Sequence, residues 1–284
     1  MEVILQTSLL DQFSIQNSRS NFFQKTVNCP YYQIFVFQGF AKFEINLIQY
    51  QCSGNTLLYL APYQQFRWLD NHETELQLIQ FHGDYYCIEY HKNLISCNGI
   101  LFNNIYEKPY FNINKTYYEE IVRTIEKMEI ELKSNVHNPY TDSIVKSYLQ
   151  LILSISSKEK SKYLAPTKPN ELPNKDVILF QELLEKHYKT ERKVSFYAAE
   201  FSLSNDAFSK KVKKQFSKSP TQLINERVVL EAKKMLHLTY KSIKEIAREL
   251  NFRDEFYFSR YFKKNVGVSP SVYRKKVGIS IVAK

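Results

Sequence analysis

The chain has 284 residues, 44% hydrophobic and 24% charged, which is enough apolar material for two domains of ordinary size. Its net charge of +10 lies at one end, because residues 174–284 hold 24 basic and 12 acidic side chains and the remainder carries −2. The chain has no stretch of the ~20 apolar residues that a membrane span needs, and its first residues lack a signal-peptide pattern. We therefore expect a cytoplasmic protein with a polyanionic partner, although a solvated basic surface would carry the same charge.

Short runs of β-forming residues, each closed by turn residues such as glycine, asparagine or proline, fill the chain from residue 21 to about residue 105. They predict strands at residues 32–37, 41–50, 56–60 and 75–82. Evenly spaced short strands with turns between them are typical of a small β-barrel or sandwich.

Two amphipathic helices are predicted to follow, one beginning after residue 114 and one at residues 141–156. They could pack on the strands as ordinary core, or pair with a second subunit to give a homodimer. Their apolar positions are Tyr118, Ile121, Ile125, Met128 and Leu132 in the first helix, and Ile144, Tyr148, Leu151 and Ile152 in the second.

Residues 158–173 are rich in lysine and proline and show no apolar periodicity, which indicates a linker. The linker divides the chain into a first domain at 1–157, with a sensing or dimerising role, and a helical second domain at 174–284. The second domain begins with a helix whose predicted apolar face holds Ile178, Phe180, Leu183, Leu184 and Tyr188.

The second domain contains an internal duplication. Residues 198–214 with Ser219-Pro220 match residues 247–264 with Ser269-Pro270, at an offset of 49 residues before a short turn and 50 after it. The second copy therefore has one extra turn residue, Arg253. A duplicated, capped pattern of this length is hard to obtain by chance.

Each copy has the features of a helix-turn-helix. A small residue, Ala198 or Ala247, allows close approach of the second helix, and Ser204 or Asp254 stands where an N-cap is needed. The other paired positions are Phe201 and Leu250 before the turn, Leu203 and Phe252 within it, and Phe208, Val212, Phe258 and Phe262 on the inner side of the second helix.

The same spacing predicts an outward face on each second helix, with base-pairing groups towards its start and cations towards its end. A recognition helix needs this layout, because its N-terminal part contacts bases and its basic residues hold phosphates; a solvated helix face is the alternative. The candidate DNA-binding residues are Asn205, Asp206, Ser209, Lys210, Lys213, Arg253, Glu255, Phe256, Arg260, Lys263 and Lys264.

A single helix is predicted between the two copies, from Leu223 to Leu236. It would hold the two second helices at a fixed separation. If both lie in the major groove on one side of the duplex, they should be about 34 Å apart, which is one turn of DNA.

The second copy carries a long motif that resembles the signature of the AraC/XylS family of bacterial regulators. Asn251 and Ser217 depart from it, because the family usually has glycine there, although asparagine also tolerates a left-handed backbone. The matching positions are Ser242-Ile243-Lys244-Glu245-Ile246-Ala247, Phe252, Asp254, Tyr257-Phe258-Ser259-Arg260, Phe262-Lys263-Lys264, Gly267, Ser269-Pro270 and Tyr273-Arg274.

The resemblance implies an α+β two-domain protein. It comprises a cupin-like β-barrel with two appended helices, followed by an all-α domain of seven helices with two helix-turn-helix motifs. The implied partners are double-stranded DNA, a small-molecule effector in the barrel, a second copy of the chain and RNA polymerase. Residues 81–84 and 97–103 resemble members of the family from Bacteroidetes, which identifies no effector.

Other chemistries find little support in the sequence. His72, His82 and His91 lack the close pairing of a metal-binding cupin, so structural roles are expected and no metal or other cofactor is predicted. Phosphate-binding and nucleophile motifs are missing, and the four cysteines, expected to be reduced and buried, all lie outside the second domain. Trp68, Phe66, Tyr63 and Tyr59 could line a pocket or form core.

The sequence thus predicts a DNA-binding transcription regulator and no enzyme. A cupin-type enzyme or small-molecule carrier with a DNA-binding appendage is the alternative, and a metabolite sensor without useful DNA affinity is a third hypothesis.

Overall fold

The computed structural model describes residues 12–19, 28–70, 75–86, 100–102, 104–134, 138–164 and 175–279. They divide into two compact units. The described residues of Met1–Asn104 and Lys108–Leu164 form the first unit, and those of Ile105–Glu107 and Ala165–Ala283 form the second.

The first unit contains two antiparallel sheets. One has five strands in the order β1-β7-β2-β5-β8, and the other has three in the order β4-β3-β6. Of the predicted barrel or sandwich, the described residues form the two sheets of a sandwich, and the cupin-like barrel is not closed among them. The strands are β1 Phe13–Arg19, β2 Tyr32–Gln38, β3 Ala41–Ile45, β4 Ile48–Cys52, β5 Asn55–Leu60, β6 Phe66–Asp70, β7 Glu75–Phe81 and β8 Tyr110–Asn112.

The single strand predicted at 41–50 is wrong, because the chain reverses there. Asn46 and Leu47 both have positive φ, 49° and 67°, as a two-residue hairpin turn of the mirror-image type requires. β3 and β4 pair on either side of this turn. The sequence prediction also missed β1, β6 and the three-residue β8.

Aromatic side chains fill the space between the two sheets. The Trp68 ring lies 4.9 Å from Phe66, 5.7 Å from Phe43 and 6.0 Å from Phe35, so both sheets contribute to one cluster. Core packing is thus confirmed for Trp68 and Phe66. Tyr59 belongs to the cluster on the opposite face of the larger sheet, so these side chains do not line a common pocket.

Two helices cover that opposite face, α1 at Lys115–Ser134 and α2 at Thr141–Leu164. Ile121, Ile125 and Met128 of α1 are fully buried in the same core cluster as Ile34 and Phe81 of the sheet. The apolar stripe of α1 is therefore core of its own unit. Homodimerisation stays a prediction.

The structure corrects the buried face of α2. Val145, Leu149 and Leu153 point inwards together with the predicted Ile152, whereas Leu151 is 42% exposed. The helix also continues to Leu164 through the first seven residues of the predicted linker. Lysine is a good helix former, and here Lys160 is buried with its Nζ donating to the Lys108 carbonyl at 3.2 Å.

The second unit is helical, and its described part has the seven helices expected for it. The helices are α3 Lys175–His187, α4 Val194–Glu200, α5 Asn205–Phe216, α6 Pro220–Leu238, α7 Ile243–Glu249, α8 Glu255–Val266 and α9 Pro270–Val277. The apolar residues Leu223, Val228 and Leu236 are fully buried. They lie in the fourth helix of this unit, α6 in chain order, which packs against α5, α7, α8 and α9.

Several sequence predictions fall at residues outside the described ranges, namely His72, His91, Cys87 and Cys97. Of the remaining histidines in the first unit, His82 lies 3.3 Å from the Asp84 carboxylate. Cys29 and Cys52 are free thiols whose pKa values are raised by burial. Within the described ranges, no helix is long and apolar enough to cross a bilayer, and no group of three potential metal ligands forms.

The burial of α2 predicts opposite outcomes for two leucines on the same helix. Leu149→Ala should lower the free energy of unfolding by about 2–5 kcal/mol, because it leaves a cavity against the sheet. Leu151→Ala should change it by about 0.5 kcal/mol or less. Urea denaturation followed by circular dichroism measures both, and a larger loss for Leu151→Ala would contradict the observed helix face.

Candidate nucleic-acid interface

The second helix-turn-helix is formed by α7, a short turn and α8. Asn251 ends α7 with a φ of 55°, a left-handed conformation that asparagine tolerates. The next residue, Phe252, donates its N–H to the Ala247 carbonyl at 2.8 Å, which closes the last turn of α7. Phe252 is buried, so the apolar plug predicted in this turn is confirmed.

The first helix-turn-helix, α4 to α5, repeats this geometry residue for residue. Ser202 has a φ of 53°, and Leu203 donates its N–H to the Ala198 carbonyl at 3.0 Å. Ser202 and Leu203 correspond to Asn251 and Phe252 at the offset of 49 residues. The duplicated sequence therefore produces a duplicated backbone turn.

Both predicted N-caps are confirmed. The Ser204 hydroxyl accepts from the Ala207 N–H at 3.3 Å, and the Asp254 carboxylate accepts from the Tyr257 N–H at 2.6 Å. Arg253 is exposed in the turn just before Asp254, as the change of offset predicted. These caps fix where α5 and α8 begin, and hence which residues occupy their first turns.

The predicted inner faces are also confirmed. Phe208 and Val212 of α5 are buried, as are Phe258 and Phe262 of α8. The two alanines at the close approach of the helices are also buried, with Ala198 1% and Ala247 2% exposed.

The opposite sides of α5 and α8 carry the candidate DNA-binding residues. Two of the eleven, Ser209 and Glu255, are half-buried; the other nine are exposed. Those nine are Asn205, Asp206, Lys210, Lys213, Arg253, Phe256, Arg260, Lys263 and Lys264. The structure thus brings all eleven to two helix starts, two helix faces and one turn; which of them contact DNA stays a prediction.

The cations on these outward faces have no partner within the described part of the chain. Lys210, Lys213, Arg260, Lys263 and Lys264 make neither an ion pair nor a side-chain hydrogen bond there. At the offset of 50 residues, Lys210 corresponds to Arg260 and Lys213 to Lys263. Both helices therefore present unneutralised positive charge at equivalent positions.

Other cations of the second unit are committed to the fold. Lys211, next to Lys210 in sequence, pairs with Asp176 at 2.6 Å. The Arg274 guanidinium donates to the Leu236 carbonyl at 3.1 Å and the Lys241 carbonyl at 2.6 Å. The total charge of the unit therefore overstates the charge available to a partner.

Lys214 is not among the residues predicted from the sequence, although it is exposed and corresponds to Lys264. Within the described residues it is unpaired as well. The 50-residue offset would have identified it, because Lys264 was already a candidate. We add Lys214 to the candidate interface.

Arg192 has a role that no local pattern in the sequence indicates. Its guanidinium lies 3.7 Å from the centre of the Phe252 ring and donates to the Leu250 carbonyl, so it joins the α3–α4 connection to the second turn. Burial lowers the pKa of Arg192 below its usual value. The group remains a cation, because the arginine guanidinium is not deprotonated in proteins.

The connecting helix is confirmed and is longer than predicted. α6 begins with the cap Ser219 and contacts both α5 and α8; the Tyr261 hydroxyl of α8 donates to Asn225 of α6 at 2.8 Å. Ser217 ends α5 in the left-handed region at φ 57°, where Gly267 ends α8 at φ 90°. The departure from glycine at Ser217 therefore leaves this turn intact.

The left-handed turn predicts that one substitution has opposite effects at two serines. Ser202→Gly should raise the free energy of unfolding by about 0.5–1 kcal/mol, because glycine adopts positive φ without steric cost. Ser209→Gly, inside α5, should lower it by about 0.5–1 kcal/mol. Thermal melting of the full chain measures both, and destabilisation by Ser202→Gly would contradict the left-handed assignment.

Arg192→Ala should destabilise the second unit by about 1–3 kcal/mol, because it removes a stacked cation and leaves the Leu250 carbonyl without this donor. Lys193→Ala is the matched control, since Lys193 is exposed and caps α4 without a side-chain hydrogen bond. It should change stability by less than about 0.5 kcal/mol. Equal losses in urea denaturation would refute the role assigned to Arg192.

Comparison with known proteins agrees with this geometry. The family described as "Helix-turn-helix domain" matches residues 197–276, from α4 into α9. The HTH-type transcriptional regulator ExsA of Pseudomonas aeruginosa is 32% identical over 105 residues, 37% of this chain and 38% of that protein. The virulence regulon transcriptional activator VirF of Yersinia enterocolitica is 29% identical over 126 residues, 44% of this chain and 45% of that protein.

The matches to these curated relatives thus span less than half of their length. Among solved structures, the C-terminal domain of the response regulator yesN from Fusobacterium nucleatum is 28% identical, with a TM-score of 0.33. That match covers 34% of this chain and 95% of the solved domain. Residues 197–276 are therefore similar to the helix-turn-helix domains of known bacterial regulators.

Proposed function

We propose that this chain is a transcription regulator that binds a specific duplex DNA sequence with α5 and α8 in adjacent turns of the major groove. The observation that carries the proposal is the pair of equivalent, capped helices whose outward cations are unneutralised within the described residues. A polyanion supplies the missing counter-charge, and an α-helix fits the major groove.

Within each helix we assign base contacts to residues of the first two turns. The amide of Asn205 pairs well with adenine, the carboxylates of Asp206 and Glu255 accept from cytosine, and Arg260 fits guanine with two hydrogen bonds. The half-buried Ser209 can donate to several base edges.

We assign the lysines of the two outward faces to phosphates, together with Arg253 in the turn between α7 and α8. The group comprises Lys210, Lys213, Lys214, Lys263 and Lys264, all exposed. Phosphate contacts set register and affinity and carry no sequence information of their own.

The names of the relatives support the same function. ExsA is named a transcriptional regulator and VirF a transcriptional activator, although each matches this chain over less than half of its length. We extend transcription regulation to the whole chain on that basis, with RNA polymerase as the partner that an activator would contact.

For the first unit we propose effector sensing, dimerisation or both. The close aromatic packing around Trp68 means that a ligand between the sheets would have to displace side chains. Ligand binding would raise the melting temperature of the chain. A concentration-dependent mass in sedimentation would support the homodimer.

The alternative is a cupin-type enzyme with a DNA-binding appendage. It predicts iron, manganese or zinc at one ion per chain in the purified protein, and metal analysis tests it directly. We propose a non-enzymatic role, because the regulators that match this chain bear no enzyme names.

The full chain should select a defined sequence from a pool of randomised 30-base-pair duplexes. Its affinity should fall steeply with salt, because each phosphate contact releases counterions. Titrations between 50 and 200 mM salt measure the slope of the logarithm of the binding constant against the logarithm of the salt concentration. This slope should be about −0.9 for each phosphate contacted. Recovery of no sequence above the starting pool would overturn the proposed function.

Two substitutions on α8 should act differently. Arg260→Ala should cost about 1–3 kcal/mol on the selected duplex and relax preference at one base pair. Lys264→Ala should weaken all duplexes alike and reduce the salt slope by about 1. Lys186→Ala, an exposed lysine on α3, is the control and should leave both quantities unchanged. A uniform loss for Arg260→Ala would remove its base-reading role.

A further inference from the structure

Phe256 differs from the other phenylalanines of the second unit. It is 69% exposed, and it is the one described phenylalanine of that unit without a partner ring. Eight others each lie within about 6 Å of a second ring: Phe180, Phe196, Phe201, Phe208, Phe216, Phe252, Phe258 and Phe262.

The position of Phe256 limits the kinds of partner that would cover its exposed ring. It is the second residue of α8, two residues after the N-cap Asp254, in the part of a recognition helix that reaches base edges. Arg260 follows one turn later and Lys263 two turns later, so an exposed ring and two unpaired cations form one stripe. A surface that binds an apolar protein pocket would not need this charge.

The base edges of the major groove include one apolar group, the C5 methyl of thymine, and a phenylalanine ring is among the side chains that contact it. If a thymine lies next to the guanine assigned to Arg260, its methyl group can contact the Phe256 ring while Arg260 binds the guanine. Contact with the methyl would also remove exposed ring surface from water.

We propose that Phe256 is a specificity residue that reads the methyl group of a thymine in the DNA site of α8. The inference rests on the proposed function and names one feature of the sequence that is bound. The corresponding residue of α5 is Asp206, which carries a charge and cannot make this contact. The methyl is therefore read by α8 alone.

The test uses the full chain and the duplex selected from the randomised pool. Each thymine of that duplex is replaced in turn by deoxyuridine, which lacks the C5 methyl and keeps the pairing edge. At one thymine the wild type should lose affinity about fourfold, the factor expected for one buried methyl group. Phe256→Ala should bind the thymine and deoxyuridine duplexes equally at that position.

Two further variants keep the result interpretable. Phe256→Leu retains an apolar side chain and should retain part of the thymine preference. Tyr140→Ala removes a similarly exposed aromatic ring, 70% exposed, from the first unit and should keep the full fourfold ratio. Circular dichroism melting shows whether each variant is folded, and Phe256→Ala should melt like the wild type because its ring is exposed.

Three results would overturn the inference. They are a wild type insensitive to every thymine methyl, a Phe256→Ala variant that keeps the fourfold ratio, and a change of oligomeric state on Phe256→Ala with the ratio intact. The last would assign the ring to a second copy of the chain. Failure to select any duplex is a separate result and contradicts the proposed function itself.

Discussion

The geometry of the second unit depends on one backbone constraint, a left-handed residue at the end of the first helix of each pair. Ser202 and Asn251 reverse the chain, and the next N–H returns to the carbonyl of the alanine at the close approach. This single reversal decides which side of α5 and α8 faces the core. If the turn opened, the N-cap and the outward cations of each helix-turn-helix would no longer keep a fixed orientation relative to its first helix.

Positive charge in the second unit serves two distinct purposes. Arg192 and Arg274 donate to backbone carbonyls, and Arg192 also stacks on a ring. Lys211 pairs with a carboxylate, and all three contacts hold helices together. The cations on the outer sides of α5 and α8 make no ion pair and no side-chain hydrogen bond among the described residues. Repulsion between these neighbouring like charges raises the free energy of the unbound protein. Binding a polyanion neutralises the charges and relieves that repulsion, which favours binding.

The sequence was most informative where the determinants of structure are local. The caps Ser204 and Asp254 and the inner faces depend on spacing within one helix-turn-helix copy, and the extra Arg253 follows from the change of offset between the two copies. The buried face of α2 was misjudged because apolar residues surround that helix, so contact with the sheet, and not periodicity, selects Leu149 over Leu151. Arg192 could not be recognised, since its carbonyl partner is 58 residues away.

Asp206 and Phe256 occupy equivalent positions, and their difference bears on the direction in which one protein chain would bind along DNA. The two halves of the duplication share one backbone, but the second position of their second helices differs, with the carboxylate of Asp206 in α5 and the aromatic ring of Phe256 in α8. A single copy would therefore distinguish left from right along a promoter. Dimers with two-fold symmetry need a palindromic operator and acquire no polarity from it. Here one chain alone could tell upstream from downstream.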